Sequence, residues 1–187
     1  MAHTLRGLES DATLVSRSLE GNQAAWSALV ERYGRLVYSI PKGCRLPDDA
    51  CEDVFQEVFV ALLRHLDSIR DPSALAKWLM TAAHRETWRW ARANKRNGHF
   101  DAAVPEPQPP SDPLPEFLIR REREHKLHMA LEQLGGRCEE LLRAIFLDPS
   151  DPSYAAIAAR LSIPVGSIGP TRIRCLAKLS ELVQDLE

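Results

Sequence analysis

The chain has 187 residues, 44% hydrophobic and 27% charged, with a formal net charge of −2, which allows one medium domain or two small ones of ordinary soluble composition. It contains no apolar run long enough to span a bilayer, and its start, Met1-Ala-His-Thr-Leu-Arg6, has no apolar core, so neither a membrane helix nor a secretory leader is expected and the protein should be cytoplasmic. Cys44, Cys51, Cys138 and Cys175 form no C-x-x-C pair; a structural zinc is not expected, and the thiols are read as reduced and buried.

Residues 1–10 read as a loose tail. Asp11 is placed to cap a short helix to Leu19, and Gly21-Asn22 ends it and opens the next. From Gln23 to Ser39 the apolar positions Trp26, Leu29, Val30, Tyr33 and Val37, followed by Ile40, recur at three and four residues. That is a core-facing helix, with Pro41 and Gly43 as its stop. Pro47-Asp48-Asp49 opens a third helix to about Asp67, its acids matched to the positive end of the dipole. Val54, Phe55, Val58, Phe59, Leu62 and Leu66 form its buried stripe. Glu52, Asp53, Gln56 and Glu57 cluster beside and away from it, as a solvated acidic face or as a docking surface for a basic partner.

Asp71-Pro72 starts a fourth helix. Leu75, Leu79, Ala82, Ala83 and Trp90 fall on its inner side; Arg85, Trp88, Arg92 and Arg96 fall on the other, with Lys77 and Lys95 alongside. Between Arg85 and Arg96 five bases (Arg85, Arg89, Arg92, Lys95, Arg96) face one acid, Glu86, and local charge is what a phosphate backbone feels. An aromatic on such a face can stack unpaired bases, at about 1–3 kcal/mol each, while arginines hold phosphates. The alternative is a surface tryptophan covered by arginine stems. Trp78 lies at the border of the two faces.

From Asn97 to Pro115, prolines at 105, 107, 109, 110, 113 and 115 and an excess of acids predict an extended linker and domain boundary. Glu116–Leu134 is a charged helix on which His125 and His128, near Glu122 and Glu124, are read as a solvated face and not as a metal site. Gly135-Gly136 ends it, and Arg137–Leu147 is helical again. Two short helices joined by a tight turn follow, capped by Ser153 and Ser167, with Pro170 in the second helix's first turn. Ala155, Ala156, Ala158 and Ala159 permit a close crossing, as in a helix-turn-helix; the alternative is a plain helical hairpin. Ile168, Cys175, Leu176, Leu179, Leu182 and Val183 share the inward side of the last helix. Pro170, Ile173, Arg174, Ala177 and Glu181 share the outward side. Arg174 suits a base edge in the major groove, Ile173 a thymine methyl, and Ser167 and Thr171 phosphate oxygens. Arg172 either pairs with an acid of its own domain or joins Lys178 in meeting DNA. No phosphate loop, H-E-x-x-H or G-x-S-x-G motif appears, so neither an enzyme nor a cofactor is expected.

In this order, the segments resemble a sigma-70 family RNA polymerase sigma factor of the extracytoplasmic-function type, over roughly residues 11–183. Asp53-Val-Phe-Gln56-Glu57-Val-Phe59 is similar to the segment with which the family binds the coiled coil of the largest core polymerase subunit. Trp78-Leu79 and the basic helix match where the family melts and reads the minus-10 element. Ile163-Pro-Val-Gly-Ser-Ile168 looks like the start of the minus-35 reading helix. The resemblance implies an all-α protein with a region 2-like domain at 11–96, a linker at 97–115 that threads toward the RNA exit path, and a region 4-like domain at 116–187. It implies core RNA polymerase and promoter DNA as partners, with contacts from Asp53, Gln56, Glu57 and Phe59 to the polymerase. It also implies contacts from Trp78, Arg85, Trp88, Arg89, Arg92, Lys95 and Arg96 to melted DNA, and from Ser167, Thr171, Arg172, Ile173, Arg174 and Lys178 to duplex. Family members are commonly held by an anti-sigma factor. Leu75 stands where the family usually has an aromatic, Gly169 and Thr171 where it often has bases, and Arg172 where it is usually apolar, so the promoter sequence does not carry over. Two rival readings are a stand-alone helix-turn-helix regulator binding duplex DNA and an adaptor whose helix-turn-helix contacts protein.

Overall fold

The computed structural model describes residues 9–69, 71–96, 103–106 and 115–184. Their regular structure is helical throughout, as expected: α1 (Asp11–Leu19), α2 (Gln23–Gly43), α3 (Asp48–His65), α4 (Leu75–Arg96), α5 (Glu116–Leu134), α6 (Gly136–Phe146), α7 (Tyr154–Leu161) and α8 (Ile168–Gln184). Short 3-10 turns at Leu66–Ser68, Pro72–Ala74 and Val165–Ser167 leave α3 and lead into α4 and α8. The chain forms two compact units, 1–125 and 126–187. The division falls inside α5, ten residues beyond the Glu116 boundary read from the sequence.

In the first unit Ser10, not Asp11, caps α1, its hydroxyl accepting the Thr13 N–H at 3.2 Å. Asp11 is turned to other use: its carboxylate accepts from the Tyr33 hydroxyl and the Arg32 guanidinium of α2. The Arg32 side chain is only 8% exposed, and a charge so placed needs partners; it also donates to the Glu9 carbonyl at 2.6 Å. Burial, reinforced by the Asp11 carboxylate, holds the Tyr33 hydroxyl far above the ordinary tyrosine range. Gly21 takes φ +81° to turn the chain, and Asn22 caps α2 through the Ala25 N–H at 3.0 Å.

α2 ends at Gly43, as expected, with Pro41 inside its last turn and not itself the stop. A proline in the last turn removes only its own N–H, and the following carbonyls are still used, Cys44 N–H donating to Ile40 and Pro41 at 3.1 Å. The Arg121 guanidinium lies against Gly43, where a Cβ would meet its Nη2 at 2.8 Å, placing a cation at the negative end of α2; a larger residue there would displace the tip of this flexible side chain. Leu29, Leu36, Ile40, Val58, Leu62 and Leu79 are among the side chains from α2, α3 and α4 that fill the core, which Leu118 of α5 joins. His125 is buried there too, its ring 5.0 Å from that of Tyr33, and is not part of a solvated face. Of the linker, residues 103–106 are described, and Val104 packs on this core; 97–102 and 107–114 lie outside the described residues.

The second unit is built on Leu131, Leu141, Leu142, Ile157, Ile168 and Leu179. Ser153 caps α7 as expected, accepting the Ala156 N–H at 3.2 Å, and Ser162 ends it in the left-handed region at φ +53°. Ser167 closes the 3-10 turn that leads into α8, its N–H donating to the Pro164 carbonyl at 2.9 Å, and α8 starts at the next residue, Ile168. The expectation of four reduced thiols fails for two of them. Cys138 and Cys175 are joined in a disulfide with Cα atoms 5.3 Å apart, while Cys44 and Cys51 carry free thiols. A separation of 37 residues is invisible to a search for close cysteine spacing.

Candidate nucleic-acid interface

Three helix faces carry the residues singled out in the sequence. On α3, Asp53, Gln56 and Glu57 are exposed. Val60 and Leu63, at 41% and 58% exposure, continue the same face toward the C-terminus, since residues three, four, seven and ten apart line one side of a helix. The stripe is therefore acidic first and apolar next, and the apolar half escaped the sequence reading, although the spacing from Asp53 would have found it. Phe59 is not on this face. It is buried, with its ring 4.8 Å from Phe55 and 6.3 Å edge-on from Trp26, so it supports α3 from beneath and offers no surface to a partner.

On α4 the inner stripe is Leu75, Leu79, Met80, Ala83, His84, Thr87 and Ala91, all buried. Thr87 satisfies its hydroxyl on the Ala83 carbonyl at 2.7 Å. Met80, His84, Thr87 and Ala91 are not assigned to this side from the sequence, and His84 is the titratable one among them. Its ring meets Phe117 edge-on at 5.1 Å, its Nε2 has no hydrogen-bond partner, and burial holds it below the ordinary histidine value, with the Pro105 carbonyl opposing. Its position one turn from Met80 and two from Ala91 marked the inner stripe, but a histidine there reads as polar.

The outer stripe of α4 bears exposed Arg85, Arg89, Arg92 and Lys95. Arg89 reaches Glu86 at 2.6 Å, an exposed pair of little energetic weight. The Arg92 guanidinium lies 5.0 Å from the centre of the Trp88 ring, the cation–π arrangement. Trp88 is half-buried, whereas Trp78 and Trp90 pack against the core. Trp78 is partly buried, with one side packed against the core. Arg96 closes α4, its side chain lying outside the described residues.

On α8, Ile168, Cys175 and Leu179 are buried and Leu182 and Val183 pack beside them. Leu176, assigned inward from the sequence, is 39% exposed. Outward, Ile173 is 65% exposed, and Arg174 and Lys178 are exposed. The Arg174 Nη2 donates to Thr171 Oγ1 at 3.3 Å, which joins the two on one patch. Arg172 is partly buried, and its Nη1 donates to the Tyr154 hydroxyl of α7 at 2.9 Å. Ser167, half-buried, stands just ahead of this patch.

The Sigma-70 region 2 family pattern matches residues 29–97, from the second turn of α2 to the end of α4. The chain is 30% identical to the ECF RNA polymerase sigma-E factor of Escherichia coli (strain K12) over 187 residues, covering 95% of this chain and 96% of that one. It is 28% identical to the RNA polymerase sigma-H factor of Pseudomonas aeruginosa (strain PAO1) over 194 residues, with the same coverage. Among solved structures, CnrH in complex with the cytosolic domain of CnrY aligns over 95% of this chain and 99% of that one, at 24% identity and a TM-score of 0.39.

Proposed function

As a member of the extracytoplasmic-function sigma factors of the sigma-70 family, to which this chain belongs, the protein confers promoter specificity on RNA polymerase, and we propose that three helix faces divide that work. The α3 face docks on core polymerase in the cytoplasm, Asp53, Gln56 and Glu57 meeting a basic surface and Val60 and Leu63 supplying apolar area. The outer face of α4 takes the melted minus-10 strand, with Trp88 as the stacking platform and Arg85, Arg89, Arg92, Lys95 and Arg96 on phosphates. The α8 patch of Ile173 and Arg174 reads the minus-35 duplex, with Ser167, Thr171 and Lys178 on its backbone and Arg172 held by Tyr154.

The observation that carries this reading is α4, where a buried inner stripe leaves Arg, Trp, Arg, Arg and Lys outward on one rigid helix. For a base to stack, Arg92 must leave the Trp88 ring. An exposed cation–π contact is worth about 0.5–1 kcal/mol, less than the about 1–3 kcal/mol of base stacking, so the exchange favours the strand. Arg92 is then released to a phosphate.

Transcription from a genomic fragment library by purified core polymerase tests the reading. Discrete new start sites should appear only when the protein is added; none, together with failure to comigrate with core, overturns it. Replacing Asp53, Gln56 and Glu57 together with alanine should lower core affinity with helical content unchanged, and full retention on immobilised core would remove α3 from the docking role.

A further inference from the structure

The cysteines of the second unit have no part in promoter recognition as described, yet they sit directly behind it. Cys138 lies in the first turn of α6, and Cys175 lies midway along α8, the residue after Arg174. Their bond ties the helix that presents Ile173 and Arg174 to the helix beneath it, across 37 residues of chain. Cys175 has no exposure at all, whereas Cys138 is partly open, so a reagent reaches the pair through Cys138. The positive end of α6 there favours an attacking thiolate. On the sigma-factor reading, the protein works beside polymerase in the reducing interior of the cell. Lasting disulfides are rare in that compartment, and those found are usually transient or redox-sensing.

We propose that Cys138 and Cys175 form a reversible oxidation site that sets the order of α8 and, through it, binding of the upstream promoter element. In the oxidised form the reading helix is pinned; in the reduced form it opens locally, because the cross-link no longer restricts the open states. The oxidant is a low-molecular-weight disulfide, RSSR. The Cys138 thiolate attacks one of its sulfurs, giving a mixed disulfide and releasing RS⁻. The Cys175 thiolate then attacks the Cys138 sulfur, closing the protein bond and releasing the second RS⁻. Two electrons pass from the protein to RSSR, and the two cysteine protons end on two RSH. A small dithiol reverses the exchange through Cys138, leaving two protein thiols and its own cyclic disulfide.

The test uses the full chain equilibrated across ratios of reduced to oxidised dithiothreitol. Thiols are trapped by alkylation and mapped by peptide, which separates the pair from Cys44 and Cys51, and hydrogen exchange is followed along α8. Cys138 and Cys175 should become labelled together, and α8 amides should exchange about tenfold faster or more when reduced. Cys138→Ser should exchange like the reduced wild type at every ratio. With core polymerase, output from a promoter bearing its upstream element should fall several-fold on reduction, and Cys138→Ser should be indifferent to redox state. Equal α8 exchange in both states overturns the proposal, as does a pair that never oxidises or transcription that ignores reduction. Cys138→Ala is the second variant: unfolding of both variants would make the bond a structural requirement and not a switch, which also overturns it. If α8 exchange switches but neither state supports transcription, the redox device stands and the sigma-factor reading is what fails.

Discussion

Among the described residues the first unit buries twice as many core side chains as the second and adds a polar link, in which Asp11 of α1 accepts from Tyr33 and Arg32 of α2. The second, Lys126–Glu187, adds a covalent link, Cys138 to Cys175. The difference follows from size. A core in a domain below about 70–80 residues rarely leaves more than about 3–5 kcal/mol of net stability. A cross-link closing a 37-residue separation contributes about 3–4 kcal/mol in the chain-entropy account. In the second unit the bond is thus comparable with everything else that holds the domain together, whereas the first unit rests mainly on its larger core.

Core truncation breaks this comparison most severely. Leu142 and Leu36 are each 2% exposed, in the second and first units respectively, and a buried leucine cut to alanine costs about 2–5 kcal/mol. Leu142→Ala should therefore abolish the second unit's thermal transition in reducing buffer and only lower it in oxidising buffer. Leu36→Ala should lower the first unit's transition equally in both. Calorimetry with and without a dithiol checks this, and a Leu142→Ala protein insensitive to reductant would mean that the core, not the bond, dominates.

The polar link is next in size. Asp11→Ala takes from the Arg32 guanidinium, whose side chain is 8% exposed, its carboxylate partner, leaving it the Glu9 carbonyl, and leaves the buried Tyr33 hydroxyl without its acceptor. Losing a buried charged partner costs about 2–4 kcal/mol. The first unit's urea midpoint should fall accordingly, while the second unit's should not move.

The same comparison shows what a sequence can disclose. Helix order, the inner stripe of α3, part of that of α4 and the turn before α8 followed from apolar spacing and turn residues, which are local signals. What escaped was long-range or polar. Asp11 looked like a cap because nothing nearby showed that Tyr33 and Arg32 would claim it, and His125 looked solvated because its burial depends on Tyr33. Phe59 was named as a contact because it lies within the docking segment, although its spacing from Phe55 and Leu62 already placed it inward. Pro41 was read as a stop, but in a last turn it removes only one N–H. The Cys138–Cys175 bond depends on how α6 and α8 cross, which spacing alone does not encode.

A change on the exposed face of the second unit sharpens the contrast without touching either core. Arg174 is exposed, so Arg174→Ala should leave both unfolding transitions in place. Discrimination between intact and scrambled upstream elements should fall by about 1–3 kcal/mol, the worth of one good base contact. Transcription from the paired templates measures it; discrimination equal to wild type would move the reading contact elsewhere on α8.

The smallest effect concerns pH in the first unit. His84 is 3% exposed, and its Nε2 lacks a partner; burial lowers its pKa from 6.5, with the Pro105 carbonyl limiting the shift. A histidine held neutral in the fold binds a proton more readily once unfolded, so stability is fully present above 6.5 and is lost as pH falls toward the folded value. The first unit's urea midpoint should therefore decline between pH 7 and pH 5 (roughly the range of histidine titration). His84→Gln, which fills similar space without a titrating proton, should flatten that decline even if it lowers the midpoint at neutral pH. Parallel slopes for the two proteins would mean that His84 binds its proton equally in both states, and that the contact with Phe117 is packing alone.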